Sequence, residues 1–315
     1  MKILITGATG LVGNEIVRLC HKKGFPVHFL TTNPSKRDHL EGAKGFYWNP
    51  SKNEIDMDCF EGVTAIINLA GANIAQRWTA SYKKTILRSR VDSLSLLKQA
   101  IDRLEDHNIT SFVSASAIGI YPSSLSEYYE EDLDKPDTSF LGTVTQKWEK
   151  AALEIEQTSI PVSIIRIGLV LSSQGGALPK IVKPVRLYAG AAFGSGEQWQ
   201  SWIHITDLAD MFLFLISNEM EGIYNGVAPN PITNKKLVNE TACVLRKKIV
   251  LPNIPSFVLK MLLGEMSTIV LSSQRVSSKK IEREGFVFRH PNSKGALEEI
   301  LLEKTNTSSQ EQAVT

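Results

Sequence analysis

Three glycines near the start of the chain have the spacing of a phosphate-binding loop. Gly7, Gly10 and Gly13 follow an apolar run at residues 3–5 and precede an apolar pattern of helical spacing that ends at Gly24. A strand that turns through glycines into a helix directs free backbone N–H groups and the positive end of the helix dipole at one place, which suits a pyrophosphate. The pattern predicts a dinucleotide site, with an ordinary structural turn as the alternative. The expected cofactor contacts are Gly7, Thr9, Gly10, Leu11, Val12 and Gly13.

The end of the second predicted strand, residues 27–31, indicates which dinucleotide this loop would bind. An acidic residue at this place binds the ribose hydroxyls of NAD and disfavours the additional phosphate of NADP. The strand instead ends in small hydroxyl and amide side chains, and Lys36 and Arg37 precede the first carboxylate, Asp38. Such donors suit a 2′-phosphate, so we expect NADP(H) rather than NAD(H), unless the two cations are only solvated loop charges. The predicted contacts are Thr32, Asn33 and Arg37.

Strand and helix signals alternate through the first half of the chain. Further strands are predicted at residues 64–69, 111–115 and 162–167, and helices at 83–106 and 142–157. This order predicts an α/β fold whose parallel sheet is covered by helices and binds ligands beyond the carboxyl ends of its strands. Later helices are predicted at 207–217, 234–246, 257–271 and 294–303.

Composition and charge narrow the class of protein. The 315 residues are 43% hydrophobic and 22% charged, with a net charge of +2 and no basic stripe, so nucleic acid is not an expected partner. No apolar run has the length of a membrane span and the N-terminus has no signal-peptide pattern, so we expect no membrane partner and a cytoplasmic location. Cys20, Cys59 and Cys243 lack metal-ligand spacing, which predicts reduced thiols and no metal site.

The chain resembles the extended short-chain dehydrogenase/reductase superfamily, and within it the atypical "epimerase family" branch that has a C-terminal extension. The matching segments run in order over nearly the whole chain. They are TGATGLVG (6–13), YWNP (47–50), INLAGANIAQRW (67–78), SRV (89–91), SASAIGIY (114–121), KWEKAA (147–152), RIGLVLSSQGGAL (from Arg166), GSGEQWQSWIHITDLA (from Gly194), NGVAPNPITN (from Asn225) and the segments GEMS, SSQRV and GF between Gly264 and Phe286.

The resemblance implies a Rossmann-type, doubly wound NAD(P)-binding domain at residues 1–171, with segments of 200–230 returning to it. A smaller, mostly helical substrate lobe would occupy residues 172–304, with the family extension from about residue 250, and the polar residues 305–315 are predicted to be disordered. The resemblance also implies further cofactor contacts on the adenine, ribose and nicotinamide sides, from Leu69, Ala70, Gly71, Ser114, Ala115, Ile167 and Gly168.

The acid–base pair of the superfamily is missing from the chain. Most members use a tyrosine followed four positions later by a lysine, and none of the seven tyrosines here has that lysine. The segment that resembles the dyad helix has Leu141 and Thr145 in the two places. Our first candidate for the proton donor is Tyr121, with Ser116 orienting a carbonyl. Lys147 and His204 are weaker candidates, and each of these side chains could instead be structural.

Arginines near tryptophans could clamp an anionic or sugar-nucleotide substrate, although buried tryptophans and paired arginines are an equal alternative. We expect an NADP(H)-dependent oxidoreductase or epimerase-like enzyme for a small carbonyl, alcohol or sugar nucleotide. A non-catalytic NADP(H) sensor or scaffold, or a protein partner, is the alternative, and a homodimer stays open. The residues predicted to contact substrate are Arg77, Trp78, Trp199, Trp202 and His204, and Arg88 and Arg90 belong to the same aromatic and basic group.

Overall fold

The computed structural model describes residues 1–311 of the protein, and the side chains of residues 1–302. The strands are β1 (Ile3–Thr6), β2 (Val27–Thr31), β3 (Ala43–Asn49), β4 (Glu54–Ile55), β5 (Ala65–Asn68), β6 (Ser111–Ala117), β7 (Tyr128–Tyr129), β8 (Val162–Ile167), β9 (Leu169–Leu171), β10 (Trp199–Gln200), β11 (Trp202–His204), β12 (Gly222–Gly226), β13 (Ile232–Thr233) and β14 (Arg275–Val276). The helices are α1 (Leu11–Lys22), α2 (Ala80–Ile101), α3 (Phe140–Leu153), α4 (Leu178–Arg186), α5 (Ile205–Ser217), α6 (Asn234–Val244), α7 (Ser256–Leu263), α8 (Ser267–Leu271), α9 (Lys279–Arg283) and α10 (Ser293–Glu311).

The chain divides into two compact units. Unit 1 comprises Met1–Pro122, Asp134–Ile167 and Leu208–Tyr224, and unit 2 comprises Ser123–Leu133, Gly168–Asp207 and the chain from Asn225 onward. Residues 123–133 lie in unit 2, although the sequence reading assigned them to the first domain. These residues belong to unit 2 because they pair with it. Ser273 N donates to Ser123 Oγ at 3.0 Å, and β7 pairs with β14.

Unit 1 is built on an eight-stranded sheet in the order β12-β8-β6-β5-β1-β2-β3-β4. The pairs from β8 through β3 are parallel, and β4 is antiparallel to β3. Every residue of β1, β2 and β5 is buried, as expected for parallel strands that helices cover on both faces. This sheet confirms the predicted Rossmann-type α/β fold.

The strand register aligns polar residues at the carboxyl ends of β1 and β5 with a serine in the middle of β6. Thr6 is opposite Asn68, and Asn68 is opposite Ser114. Thr6 Oγ1 donates to Asn68 Oδ1 at 2.8 Å, and Asn68 Nδ2 donates to Ser114 Oγ at 3.1 Å. These hydrogen bonds order the strands close to their carboxyl ends, beyond which ligands of such folds bind.

Unit 2 has its own apolar core and three two-stranded ladders, β9–β11, β10–β13 and β7–β14. The core includes Leu171, Leu178, Trp202, Leu237 and Leu297. Among the described residues, no helix is both long enough and apolar enough to cross a bilayer.

The predicted helix 257–271 is interrupted, because α7 ends at Gly264, whose φ of +58° favours glycine, and a 3-10 turn precedes α8. Disorder was predicted over 305–315, whereas α10 continues to Glu311. Residues 312–315 lie outside the described residues, so for them the prediction of disorder stays untested.

Candidate cofactor site and buried polar network

The glycine loop brings the backbone of three segments into close contact. Gly7 has φ +68°, and a Cβ on it would lie 2.9 Å from Leu69 O. A Cβ on Gly13 would lie 2.3 Å from Gly7 O, so the start of α1 packs against the loop in a way that only glycine allows. Gly10 is the N-cap of α1, and no side chain caps its first N–H groups. These groups and the helix dipole are suited to an anion.

A cavity of about 570 Å³ opens at this loop within unit 1. It extends from the glycine loop past the end of β2 to α2. Its lining includes five of the predicted cofactor contacts, Gly7, Thr9, Thr32, Ala70 and Gly71, and further residues that were not predicted as such: Leu30, Thr31, Trp48, Asn49, Pro50, Ser51, Ala72, Thr85, Arg88, Ser89, Asp92 and Ser93.

Two of the residues predicted to select the cofactor have other positions. The Asn33 carboxamide oxygen accepts from Ser35 N at 3.1 Å and from Ser35 Oγ at 2.8 Å, so it caps the 3-10 turn that follows β2. Arg37 is exposed and is not among the residues that line the cavity. The cation at the cavity wall is Arg88, which the sequence led us to group with the arginines and tryptophans expected at the substrate. Residues 48–50 of the YWNP segment line the same cavity.

The other predicted cofactor contacts lie around the same sheet edge or begin unit 2. Leu11 and Val12 form the first turn of α1, and Leu69 follows β5. Ser114 and Ala115 are buried in β6, and Ile167 is the last residue of β8. Gly168 belongs to unit 2, where a Cβ would lie 2.1 Å from Ser201 O. Their cofactor roles stay predictions.

Arg90 lies directly behind the loop that lines the cavity. Its Nη1 donates to Ile86 O at 2.8 Å and Ala72 O at 3.3 Å, and its guanidinium lies 4.8 Å from the centre of the Trp148 ring. A Cβ on Gly71 would lie 3.0 Å from Arg90 Cζ. Burial lowers the pKa of Arg90 to about 10, so the group is still a cation at neutral pH.

A buried polar network joins β6, α3 and β8 in unit 1. Glu149 accepts from Arg166 through both oxygens, with Nε–Oε1 at 2.9 Å and Nη2–Oε2 at 3.0 Å. Ser116 Oγ donates to Glu149 Oε1 at 2.6 Å, and Arg166 Nη1 donates to Tyr121 Oη at 2.9 Å. All four residues are buried. Burial acts to lower the pKa of Arg166, but the hydrogen bonds and charge of Glu149, together with Tyr121, outweigh it and raise that pKa above its ordinary value.

The positions that resemble the dyad lie beside the turn that leads to Tyr121. A Cβ on Gly119 would lie 3.7 Å from both Leu141 Cβ and Thr145 Oγ1. The Thr145 hydroxyl donates to Leu141 O at 2.9 Å, so its proton is used within α3. Lys147 is on the exposed side of α3.

The predicted substrate residues are divided between the two units, with Arg77 and Trp78 in unit 1 and Trp199, Trp202 and His204 in unit 2. Trp202 is fully buried in the core of unit 2 and its Nε1 donates to Asn230 O at 2.9 Å, which does not support a substrate contact. Trp199 is half-buried, with Nε1 on Leu125 O at 3.0 Å. Trp78 is half-buried against Phe140, and Arg77 is exposed.

His204 belongs to a histidine–carboxylate cluster in unit 2. Its ring lies 4.0 Å from that of His290, and Glu299 Oε2 lies 3.3 Å from His290 Nε2. His204 Nδ1 accepts from Thr206 N at 3.2 Å. A neutral ring that accepts at Nδ1 has its proton on Nε2, the atom that faces Glu299, so it offers no lone pair to a metal there. This geometry favours the structural interpretation of His204.

Comparison with known families agrees with this geometry. The sequence model of the NAD dependent epimerase/dehydratase family matches residues 3–226. The chain belongs to this family. A second model, a domain of unknown function named DUF1731, matches residues 254–300, so the predicted branch with a C-terminal extension is confirmed. Membership of the epimerase/dehydratase family supports the predicted nucleotide cofactor.

Relatives of this epimerase-family chain match it over nearly its full length. An epimerase family protein of Staphylococcus aureus (strain NCTC 8325 / PS 47) is 36% identical over 302 residues, covering 95% of this chain and 99% of that protein. The chloroplastic SDR39U1 homologue of Arabidopsis thaliana is 34% identical over 304 residues, covering 96% and 87%. A crystal structure of human epimerase family protein SDR39U1 (isoform 2) with NADPH has a TM-score of 0.83 at 28% identity, covering 95% and 99%.

Proposed function

We propose that the protein is an NADP(H)-dependent oxidoreductase or epimerase-like enzyme that transfers hydride to or from a small carbonyl, an alcohol or a sugar nucleotide. The observation that carries the proposal is the cavity of unit 1, which extends from Gly7 and Thr9 of the glycine loop to the end of β2 and to Arg88. The human relative whose structure contains NADPH supports it. A small-molecule substrate and a cytoplasmic location belong to the same proposal.

The preference for NADP(H) rests on the groups around the end of β2. Thr32 offers a hydroxyl and Arg88 offers a cation at one wall of the cavity, whereas the Thr31 hydroxyl is hydrogen-bonded to the backbone of Asn33. A guanidinium binds a phosphate dianion through two parallel hydrogen bonds, which a ribose hydroxyl cannot replace. We therefore assign the recognition of the 2′-phosphate to Arg88 rather than to Arg37.

The proposed proton donor is Tyr121, with Arg166 in the part that lysine plays in the superfamily. Arg166 donates to the phenol oxygen, so this contact does not use the phenol proton. The fixed positive charge would stabilise the phenolate left when that proton moves to the substrate oxygen as hydride arrives. Glu149 holds Nε and Nη2 of Arg166 and thereby directs Nη1 at Tyr121, and Ser116 holds Glu149.

Cofactor titration calorimetry tests the first half of the proposal. We expect NADPH to bind more tightly than NADH, and Arg88→Ala to weaken NADPH binding by about 10- to 100-fold, as the loss of a charged hydrogen bond does. NADH binding should not change. Lys84→Ala, an exposed cation on the same helix, is the matched control. Equal affinity of the wild type for the two cofactors would contradict the assignment.

Turnover tests the second half. A screen of small carbonyls and sugar nucleotides, in which the loss of NADPH fluorescence reports oxidation of the cofactor, should find a substrate. On that substrate Tyr121→Phe should lower kcat by about 10²- to 10⁴-fold, while Tyr128→Phe should not. Full turnover by Tyr121→Phe would exclude Tyr121 as the acid.

A non-catalytic NADP(H) sensor is the second candidate function. The observation that favours it is the complete burial of Tyr121, whose hydroxyl oxygen accepts a hydrogen bond from Arg166 in the protein interior. Tight NADPH binding without oxidation of NADPH by any member of the substrate panel would favour the sensor over the enzyme.

A further inference from the structure

Unit 2 carries a surface that is both apolar and basic, and that the cofactor chemistry does not use. Large apolar side chains are strongly exposed here at the end of α4, before α7 and along α7. They are Leu187 (69%), Tyr188 (52%), Val250 (64%), Leu251 (48%), Phe257 (69%), Met261 (75%) and Leu262 (71%). We call these residues, with the cations around them, the basic apolar face.

Two chain segments form this face side by side. Lys247 Nζ donates to Tyr188 Oη at 3.1 Å and lies 4.3 Å from the centre of its ring. Further along, Ile254 N donates to Ala192 O and Gly194 N donates to Ile254 O, both at 2.8 Å. The segment after α4 therefore runs beside the segment that leads into α7, and their exposed apolar side chains belong to one region of unit 2.

The charges of these segments are all of one sign. Residues 171–196 and 241–264 contain seven lysines and arginines and no aspartate or glutamate, against a net charge of +2 for the whole chain, and Glu197, Glu240 and Glu265 lie directly outside these ranges. Six of the seven cations are exposed and Lys247 is half-buried. The seven are Lys180, Lys183, Arg186, Arg246, Lys247, Lys248 and Lys260.

We propose that the basic apolar face docks the protein on the surface of a bilayer that contains anionic lipids. Apolar side chains enter the headgroup boundary while lysine and arginine contact anionic headgroups, which is how peripheral proteins bind membranes. No spanning helix is needed, so the expectation of no membrane partner, which considered only spans and signal peptides, does not bear on this mode of binding. A second copy of the chain is the poorer occupant, because a symmetric contact would bring the cations of two such faces together.

The test is sedimentation of the full-length protein with vesicles. Phosphatidylcholine vesicles that contain phosphatidylglycerol should retain the protein, and pure phosphatidylcholine vesicles should retain little. Raising the salt concentration should release it. Arg246→Glu with Lys248→Glu should weaken partitioning by at least about 25-fold, roughly fivefold for each cation removed. The exposed pair Lys22→Glu with Lys23→Glu makes the same change in net charge elsewhere and should have little effect.

The apolar part of the face has its own variants. Phe257→Ser with Met261→Ser should weaken vesicle binding about tenfold or more. Val287→Ser, which replaces another strongly exposed apolar residue of unit 2, is the control and should not weaken it. Circular dichroism of each variant checks that the fold is kept. The proposal is overturned if the protein sediments with neither kind of vesicle. It is also overturned if light scattering finds a wild-type dimer that Phe257→Ser with Met261→Ser dissociates, because a second copy would then cover the face.

Discussion

The cavity and the polar network of unit 1 both lie near the carboxyl ends of parallel strands, but their polar groups differ in what they contact. In the cavity, the glycine loop, Thr32 and Arg88 face open space. In the network, Ser116 and Arg166 are bonded to Glu149 in the protein interior. Under the proposed function, the groups that would hold a cofactor and the groups that would move a proton are therefore separate parts of the unit. Affinity and turnover should therefore respond to different substitutions.

The largest effect on folding is expected from Glu149→Gln. The substitution removes the negative charge and leaves Arg166 buried without compensation, which should lower the free energy of unfolding by about 3–5 kcal/mol. Urea denaturation measures the loss. Arg88→Ala in the cavity wall should change the same quantity by no more than about 0.5 kcal/mol. If the free energy of unfolding falls by a similar amount in both variants, the cavity wall and the buried network do not differ in their contribution to stability.

The largest effect on cofactor binding is expected from Gly10→Asp. A carboxylate at the N-cap of α1 would stand where the pyrophosphate is expected, so the Kd for NADPH should rise about a hundredfold or more. The free energy of unfolding should change little. Gly10→Ala adds a Cβ 3.2 Å from Gly7 O but no charge, and it should bind far better than the aspartate variant in the same calorimetric titration. Unchanged binding by Gly10→Asp would place the cofactor elsewhere.

The smallest effect concerns His28, a buried group of β2 whose ring Nδ1 lies 2.8 Å from Cys59 O. Burial lowers the pKa of His28 below its ordinary value of 6.5. The unfolded chain then takes up a proton at a higher pH than the folded chain, so the free energy of unfolding falls as the pH drops through about 6.5, down to the lowered pKa.

The Tm of His28→Gln should accordingly fall less than that of the wild type between neutral and mildly acidic pH. His39→Gln changes an exposed histidine of the same unit and should keep the wild-type slope. If the two variants have the same slope, the interior around β2 is more accessible to water than its burial indicates.

Local patterns in the sequence predicted the parts of the fold that depend on local order. β2 and β8 have the predicted bounds, because each is a mainly apolar run that is followed by a polar residue, Thr32, or by a glycine, Gly168. The helix predicted at 257–271 failed at Gly264, where the apolar pattern continues through a residue of positive φ. Hydropathy alone does not distinguish one amphipathic helix from two short ones joined at a glycine.

The site was predictable only where a motif carries it. The glycine loop was found, whereas Arg88 was grouped with substrate cations because nothing local shows which side of α2 meets the end of β2. The pairing of Glu149 with Arg166 joins α3 to β8 across 17 positions and leaves no periodic signal. Trp202 has the same local pattern whether it lines a site or fills a core, and only the packing of unit 2 decides between the two.

The contacts of Arg90 with Gly71 and with the Trp148 ring have a consequence for fluorescence. The indole ring touches the guanidinium that supports the cavity wall, and its Nε1 is buried without a hydrogen-bond partner. Indole emission is sensitive to the charge and polarity of its surroundings, and it overlaps the absorption of reduced nicotinamide. Trp148 is thus a built-in fluorophore, and a comparison with Trp148→Phe would show how much of any quenching by NADPH arises at this wall.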